Sequence, residues 1–208
     1  MTPPTGGDPV LITADAGLDV TVRPGTLLSL SAQNTAPNVQ NTALTFSWAE
    51  INPLASGAVT FTNSETATPS FIAPLQGTIG ILKRTFEVTI KHTSGTTSTD
   101  RVVVTTDSSA KDIVTIDSYS RVNSQSGTIT VTAHTNLVGD PSAQMVISVN
   151  GAAAVQMTKV GTNTGKFTYS QRSVAAGLPI VVTTRIGTTS YGTARSATPA
   201  KRAVAFIS

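Results

Sequence analysis

The sequence predicts an all-β chain built as two tandem immunoglobulin-like antiparallel β-sandwiches. Its polar character comes from Thr, Ser, Asn and Gln, with 16 Gly and 11 Pro, and this composition favours short strands joined by turns over long helices. Its clearest stretches alternate apolar and polar residues with the period of a strand, above all LTFSWAE at Leu44 to Glu50, where Leu44, Phe46 and Trp48 share one face. Its 208 residues, 39% hydrophobic and only 12% charged, are too apolar for disorder and give each half, at about 100 residues, a workable core.

The elements follow in order. Val10 to Ala14, Asp19 to Val22 and Thr26 to Ala32 read as strands, the last after the Pro24-Gly25 turn. Gln33 to Thr42 reads as a loop. The Trp48 strand comes next, then short strands at Val59 to Thr62 and Pro69 to Ile72. Phe86, Val88 and Ile90 place one face of a longer strand in the core, His92 to Thr97 forms a hairpin loop, and Asp100 to Thr106 returns beside it. Seven or eight close-spaced strands with aromatics facing inward describe an immunoglobulin-type sandwich.

ADAGLDVTVRPGTLLSLSA (Ala14 to Ala32), LTFSWAE, ATPSFIAP (Ala67 to Pro74) and STDRVVVTT resemble, in this order, the PKD-like domains of polycystin, receptor-for-egg-jelly-like and many secreted bacterial proteins. The resemblance covers roughly residues 10 to 107 and implies an extracellular module that spaces, presents or adheres. Two features depart from that family. The WDFGDG signature is missing, since Trp48 is followed by Ala49, Glu50 and Ile51. The loop before the Trp strand reads NTAPNVQNT (Asn34 to Thr42) and carries no carboxylate, which makes it a poor calcium site because hard cations want clustered carboxylate oxygens.

TTDSSAKD (Thr105 to Asp112) reads as a small-polar linker, with residues 1–9 as a leading linker, 10–108 as the first sandwich and 109–208 as the second. In the second half, Ile113 to Ile116, Thr128 to Ala133 and Met145 to Val149 read as strands. Asn150-Gly151 is a two-residue hairpin signal leading to Ala153 to Lys159. Gly161 to Gly165 is a turn, Phe167 and Tyr169 share a core face, and Ile180 to Thr184, Gly187 to Thr193 and Ala203 to Ile207 complete the set. This half resembles an Ig-like or fibronectin-type module of the sort that follows PKD-like domains. The halves share strand rhythm without repeated sequence.

Several function classes fall away. The chain has no Cys, which removes disulfides, thiolate metal sites and thiol nucleophiles. No Asn-x-Ser/Thr acceptor occurs, which favours a bacterial surface or secreted protein over a eukaryotic one. No apolar run approaches the roughly 20 residues that span a bilayer, so membrane insertion is not expected. MTPPTGGDP at the start has no apolar signal region and reads as a start within a Pro/Gly linker, as in a piece of a longer protein. The net charge of +3 is scattered, with only Lys83-Arg84 and Lys201-Arg202 adjacent, so nucleic acid is not an expected partner.

No catalytic residue, cofactor or metal ligand is expected. The only two His, His92 and His134, have no second ligand at suitable spacing; no nucleophile elbow, phosphate loop or dinucleotide fingerprint occurs; and the 11 carboxylates are dispersed. Binding is carried by fewer residues. Trp48, Phe167 and Tyr169 read as core, whereas Tyr119, aligned with Thr115 and Asp117 and lying beside Arg121, and Tyr191, in TTSYGTAR before Arg195, are the candidate contacts for a carbohydrate. A third expectation is assembly through sheet edges, with Thr2 to Thr13 or Arg202 to Ser208 adding a strand to a neighbour. The leading expectation is a non-catalytic accessory region of a larger secreted or surface protein. Its partners would be neighbouring domains of the same polypeptide, and a polysaccharide or surface protein.

Overall fold

The computed structural model describes residues 10–37, 43–55, 57–75, 80–121, 127–172 and 179–196. Those residues form strands, turns and loops and no α-helix. The chain divides into two compact units, residues 1–108 and 109–208.

In the first unit the strands are β1 (Ala14–Asp15), β2 (Val20–Val22), β3 (Leu27–Ser29), β4 (Gln33–Asn34), β5 (Leu44–Ile51), β6 (Ser70–Ile72), β7 (Ile81–His92) and β8 (Thr97–Asp107). The main sheet has the order β2-β8-β7-β5, and β3-β6 and β1-β4 form two smaller sheets. Strand alternation decides what is inside. On β7, Arg84, Phe86, Val88 and Ile90 are buried, while the residues between them are partly open. Trp48 of β5 stands opposite Val88, is 4% exposed, and joins Leu44, Phe71, Phe86 and Ile90 in one core. Phe61, Phe71 and Phe86 close that core with ring centroids 4.9–5.4 Å apart.

This unit differs from the sequence reading in several places. Of the expected strand Val10 to Ala14 only Ala14 is in a strand, and it and Asp15 pair with Gln33 and Asn34, which read as loop. The β2–β8 pair is parallel, an exception within an otherwise antiparallel sandwich. Side chains fix the path of the chain into it: Ala16 N–H donates to Asp100 Oδ2 at 2.8 Å and Val103 N–H to Asp19 Oδ1 at 2.8 Å. The expected strand at Val59 to Thr62 contracts to a single bridge, Thr62 with Ser70. Its Val59 N–H donates instead to Glu50 Oε2 at 2.9 Å, so a side chain takes the donor that a ladder would have used.

In the second unit the strands are β9 (Val114–Arg121), β10 (Ile129–Thr135), β11 (Ala143–Val149), β12 (Val155–Gln156), β13 (Thr158–Val160), β14 (Lys166–Gln171), β15 (Ile180–Ile186) and β16 (Thr189–Arg195). They build two four-stranded sheets, β13-β14-β10-β9 and β12-β11-β15-β16. Ile129, Val131 and Ala133 of one sheet and Met145, Ile147, Ile180 and Val182 of the other supply the core, with Phe167 buried and Tyr169 packed against it. The Asn150-Gly151 turn has φ of +53° and +72°, the backbone that two-residue hairpins select.

The expected strand from Ala153 to Lys159 divides in two. Val155 and Gln156 pair with β11, whereas Thr158 to Val160 pair with β14 in the other sheet. Met157, 3% exposed, sits at the changeover with its N–H donating to Met145 O at 2.8 Å, so the apolar side chain that plugs the core also moves the chain between sheets. The stretch read as a linker is structured at both ends, with Thr105 and Thr106 in β8 and Asp112 buried. The strand expected at Ala203 to Ile207 lies outside the described residues, as do residues 1–9 and the 38–42 part of the carboxylate-free loop.

Candidate functional site

The exposed polar chemistry of the second unit is organised by a β-bulge. Between Thr132 and Ala133 the β9–β10 register shifts, so that Thr132 faces Ser118 and Ala133 faces Ile116, leaving Asp117 without an opposite residue. Asp117 Oδ1 there lies 2.5 Å from His134 Nδ1. Both side chains are more than a third exposed, so the pair is a solvated surface contact of small energetic weight. His134 is in register with Lys166 on β14, and these three residues line a groove together with Thr132, Val160 and Thr164.

The same bulge relocates Tyr119. Strict alternation puts it with Thr115 and Asp117 on the outer face; the shifted register instead sets it opposite Val131, whose side chain is in the core. Tyr119 remains 38% exposed because β9 is an edge strand. A second groove there is lined by β9 from Val114 to Tyr119 and by Ala194, Arg195 and Ser196 at the end of β16. Tyr191 lines a different depression with Lys111, Asp112 and Gly192. Arg121 is exposed at the end of β9 and stands opposite Ile129. Of the four candidate contacts, then, the fold brings Tyr119 and Arg195 to one groove, and Tyr191 and Arg121 do not line it.

His92 has a local role. Its Nδ1 accepts from Ser94 N–H at 3.0 Å and lies 2.8 Å from Ser94 Oγ, which closes the turn between β7 and β8. The residues least visible in the sequence are buried ones. Glu50 Oε1 accepts from Arg84 Nη1 at 2.6 Å with both side chains at most 3% exposed, and Arg84 Nη1 also donates to Gly57 O at 3.1 Å. Alternation gave a signal for Glu50, which shares the Trp48 face of β5, but its partner lies 34 residues away. Among the described residues, no group of three or more His, Cys, Asp or Glu could hold a metal ion, and no helix is long and apolar enough to cross a membrane.

The architecture is that of β-sandwich modules of immunoglobulin type, with a parallel strand pair in the first. Residues 16–106, within that first unit, match the family model described as K319L-like, PKD domain, so the PKD resemblance holds for this span. Among solved structures the chain is similar to a nucleoside hydrolase-related hypothetical protein from Saccharophagus degradans that is associated with carbohydrate metabolism, at 22% identity over 42% of this chain and 21% of that one, with a TM-score of 0.35. It is also similar to the D00-D0 domain of intimin (14% identity, 90% of this chain and 100% of that one, TM-score 0.36). A third similarity is to protocadherin gamma B2 extracellular cadherin domains 3-6 (10% identity, 89% and 46%, TM-score 0.34). The chain thus spans about a fifth of the first of these structures. At such TM-scores these likenesses carry no argument about function. No curated protein matches the sequence.

Proposed function

We propose that the chain is a non-catalytic accessory region of a larger secreted or surface protein, which spaces, presents or adheres and whose partners are the neighbouring domains of its own polypeptide. One observation supports this most: the His and the buried ionisable side chains that could have done chemistry already have partners within their own units. Glu50 and Arg84 are buried against each other, Asp112 is buried between two threonines, His92 closes a hairpin and His134 meets a bulged Asp117. General acid–base work needs such a group within reach of a bound substrate.

A second reading is favoured by the groove that Tyr119 and Arg195 share. An aromatic beside a cationic fork is a pair that binds sugar rings and their acidic substituents, and on this reading the chain is a carbohydrate-binding module. Glycan arrays and pull-down on insoluble polysaccharides, with the wild type and a Tyr119→Ala/Tyr191→Ala variant, separate the two. The accessory reading predicts no specific retention of either protein. Retention that the variant loses would replace it with the carbohydrate reading.

A further inference from the structure

Asp112 lies at the pole where the chain enters the second unit, and three contacts hold it. Its Oδ2 accepts from Thr135 Oγ1 at 2.5 Å and from Thr184 Oγ1 at 2.6 Å. Its N–H donates to Tyr191 O at 3.0 Å. Thr135 ends β10 in one sheet and Thr184 lies on β15 in the other, so a single carboxylate ties both sheets to the first residues of the unit. Asp112, Thr135 and Thr184 are 7%, 3% and 0% exposed, and a hydrogen bond in a water-excluded site is stronger than the same bond in water. The backbone is equally tight: a Cβ on Gly192 would lie 2.4 Å from Asp112 O.

The strands that follow set the direction of load. β9 and β16 run the same way, because Asp112 abuts Tyr191 and Gly192 near their starts, while Tyr119 and Arg195 line one groove toward their ends. Chain tension applied from both sides therefore pulls β9 toward Asp112 and β16 toward Arg195. Each strand is loaded along its own axis against β10 or β15, its antiparallel neighbour, and the bonds of each ladder share the load instead of opening one by one. Asp112 is the first buried residue to meet that load.

We infer that Asp112 is a tension-bearing anchor, which lets the second unit hold its fold when its neighbours are pulled apart. This rests on the accessory reading only for its purpose in the parent protein; the mechanical behaviour belongs to the fold. The test is single-molecule force spectroscopy on the full chain held at its two ends, and again on a chain held at its C-terminus and at an exposed Ala152→Cys, which loads β11 instead of β9. Losing a buried acceptor that serves two hydroxyls speeds forced unfolding of the second unit by about tenfold or more, so Asp112→Ala is expected to do so in the end-to-end geometry and much less in the other. Asp112→Asn, whose amide oxygen can still accept from both hydroxyls, restores most of the resistance. Thr184→Val, a milder change, shows the same geometry dependence if Asp112→Ala does not fold. Equal acceleration in both geometries, or none in the end-to-end one, overturns the inference. Specific glycan retention would overturn the accessory reading and leave the anchor standing.

Discussion

Arg84 Nη1 donates to Glu50 Oε1 at 2.6 Å across the β5–β7 ladder, and the same carboxylate receives Val59 N–H through its other oxygen. One ion pair thereby closes the end of the first core and pins the segment that follows β5. Removing one partner strands the other charge in a water-excluded site, so Glu50→Ala is expected to cost about 3–5 kcal/mol. Replacing both together, as in Glu50→Leu with Arg84→Met, is expected to be near neutral or stabilising. Denaturant unfolding of the two single variants and the double variant measures the difference.

Trp48 is the chain's single tryptophan, so its fluorescence reports the first unit alone. Its Nε1 is buried without a hydrogen-bond partner. Trp48→Ala is expected to cost about 3–5 kcal/mol through the cavity it leaves. Trp48→Phe costs less, because it also removes the unpaired donor. Thermal unfolding followed by circular dichroism ranks the two.

Gly165 is required by its surroundings. Its φ is +65°, and a Cβ there would lie 2.2 Å from Thr135 O and 2.9 Å from Val138 Cγ1. A backbone oxygen cannot swing aside as a flexible side chain can, so Gly165→Ala is expected to destabilise the second unit by about 1–3 kcal/mol or more. Gly187, whose Cβ would meet nothing, supplies the comparison: its alanine variant suffers from a φ of +59° alone and loses less.

The pH dependence has two limbs. Burial raises the Tyr169 phenol above its usual 10.0. A raised folded value means that stability is full below pH 10.0 and falls as pH climbs through the folded value, so Tyr169→Phe is expected to flatten part of the alkaline loss. Asp15 is lowered from 3.8, first by the hydrogen bond from Gln33 and then by that from Gly17 N–H. Its contribution is present above pH 3.8 and lost as pH falls through the lower folded value, so Asp15→Asn flattens part of the acid limb. Melting temperatures across both ranges check the signs.

What could be read from the sequence is what a local period writes into it. Leu44, Trp48, Phe86, Val88 and Ile90 declared their face by alternation, and Asn150-Gly151 declared its turn through the backbone that only such residues adopt without strain. Residues whose meaning depends on a distant partner were not legible: Glu50 needed Arg84, and Asp112, in a stretch that reads as linker, needed Thr135 and Thr184. The face of Tyr119 was misread because one bulged residue, Asp117, reverses the alternation after it, and an extra residue leaves no mark in composition. Met157 likewise hid a change of sheet inside what reads as a single strand.

Each unit closes its core with its own residues. Denaturant unfolding followed at Trp48 tests this most directly, with the wild type, Glu50→Ala and Asp112→Ala compared at one pH. The predicted result is a Trp48 midpoint that falls in Glu50→Ala and stays at the wild-type value in Asp112→Ala, while the circular dichroism of Asp112→Ala shows earlier loss of strand. A Trp48 midpoint lowered as far by Asp112→Ala as by Glu50→Ala would contradict it.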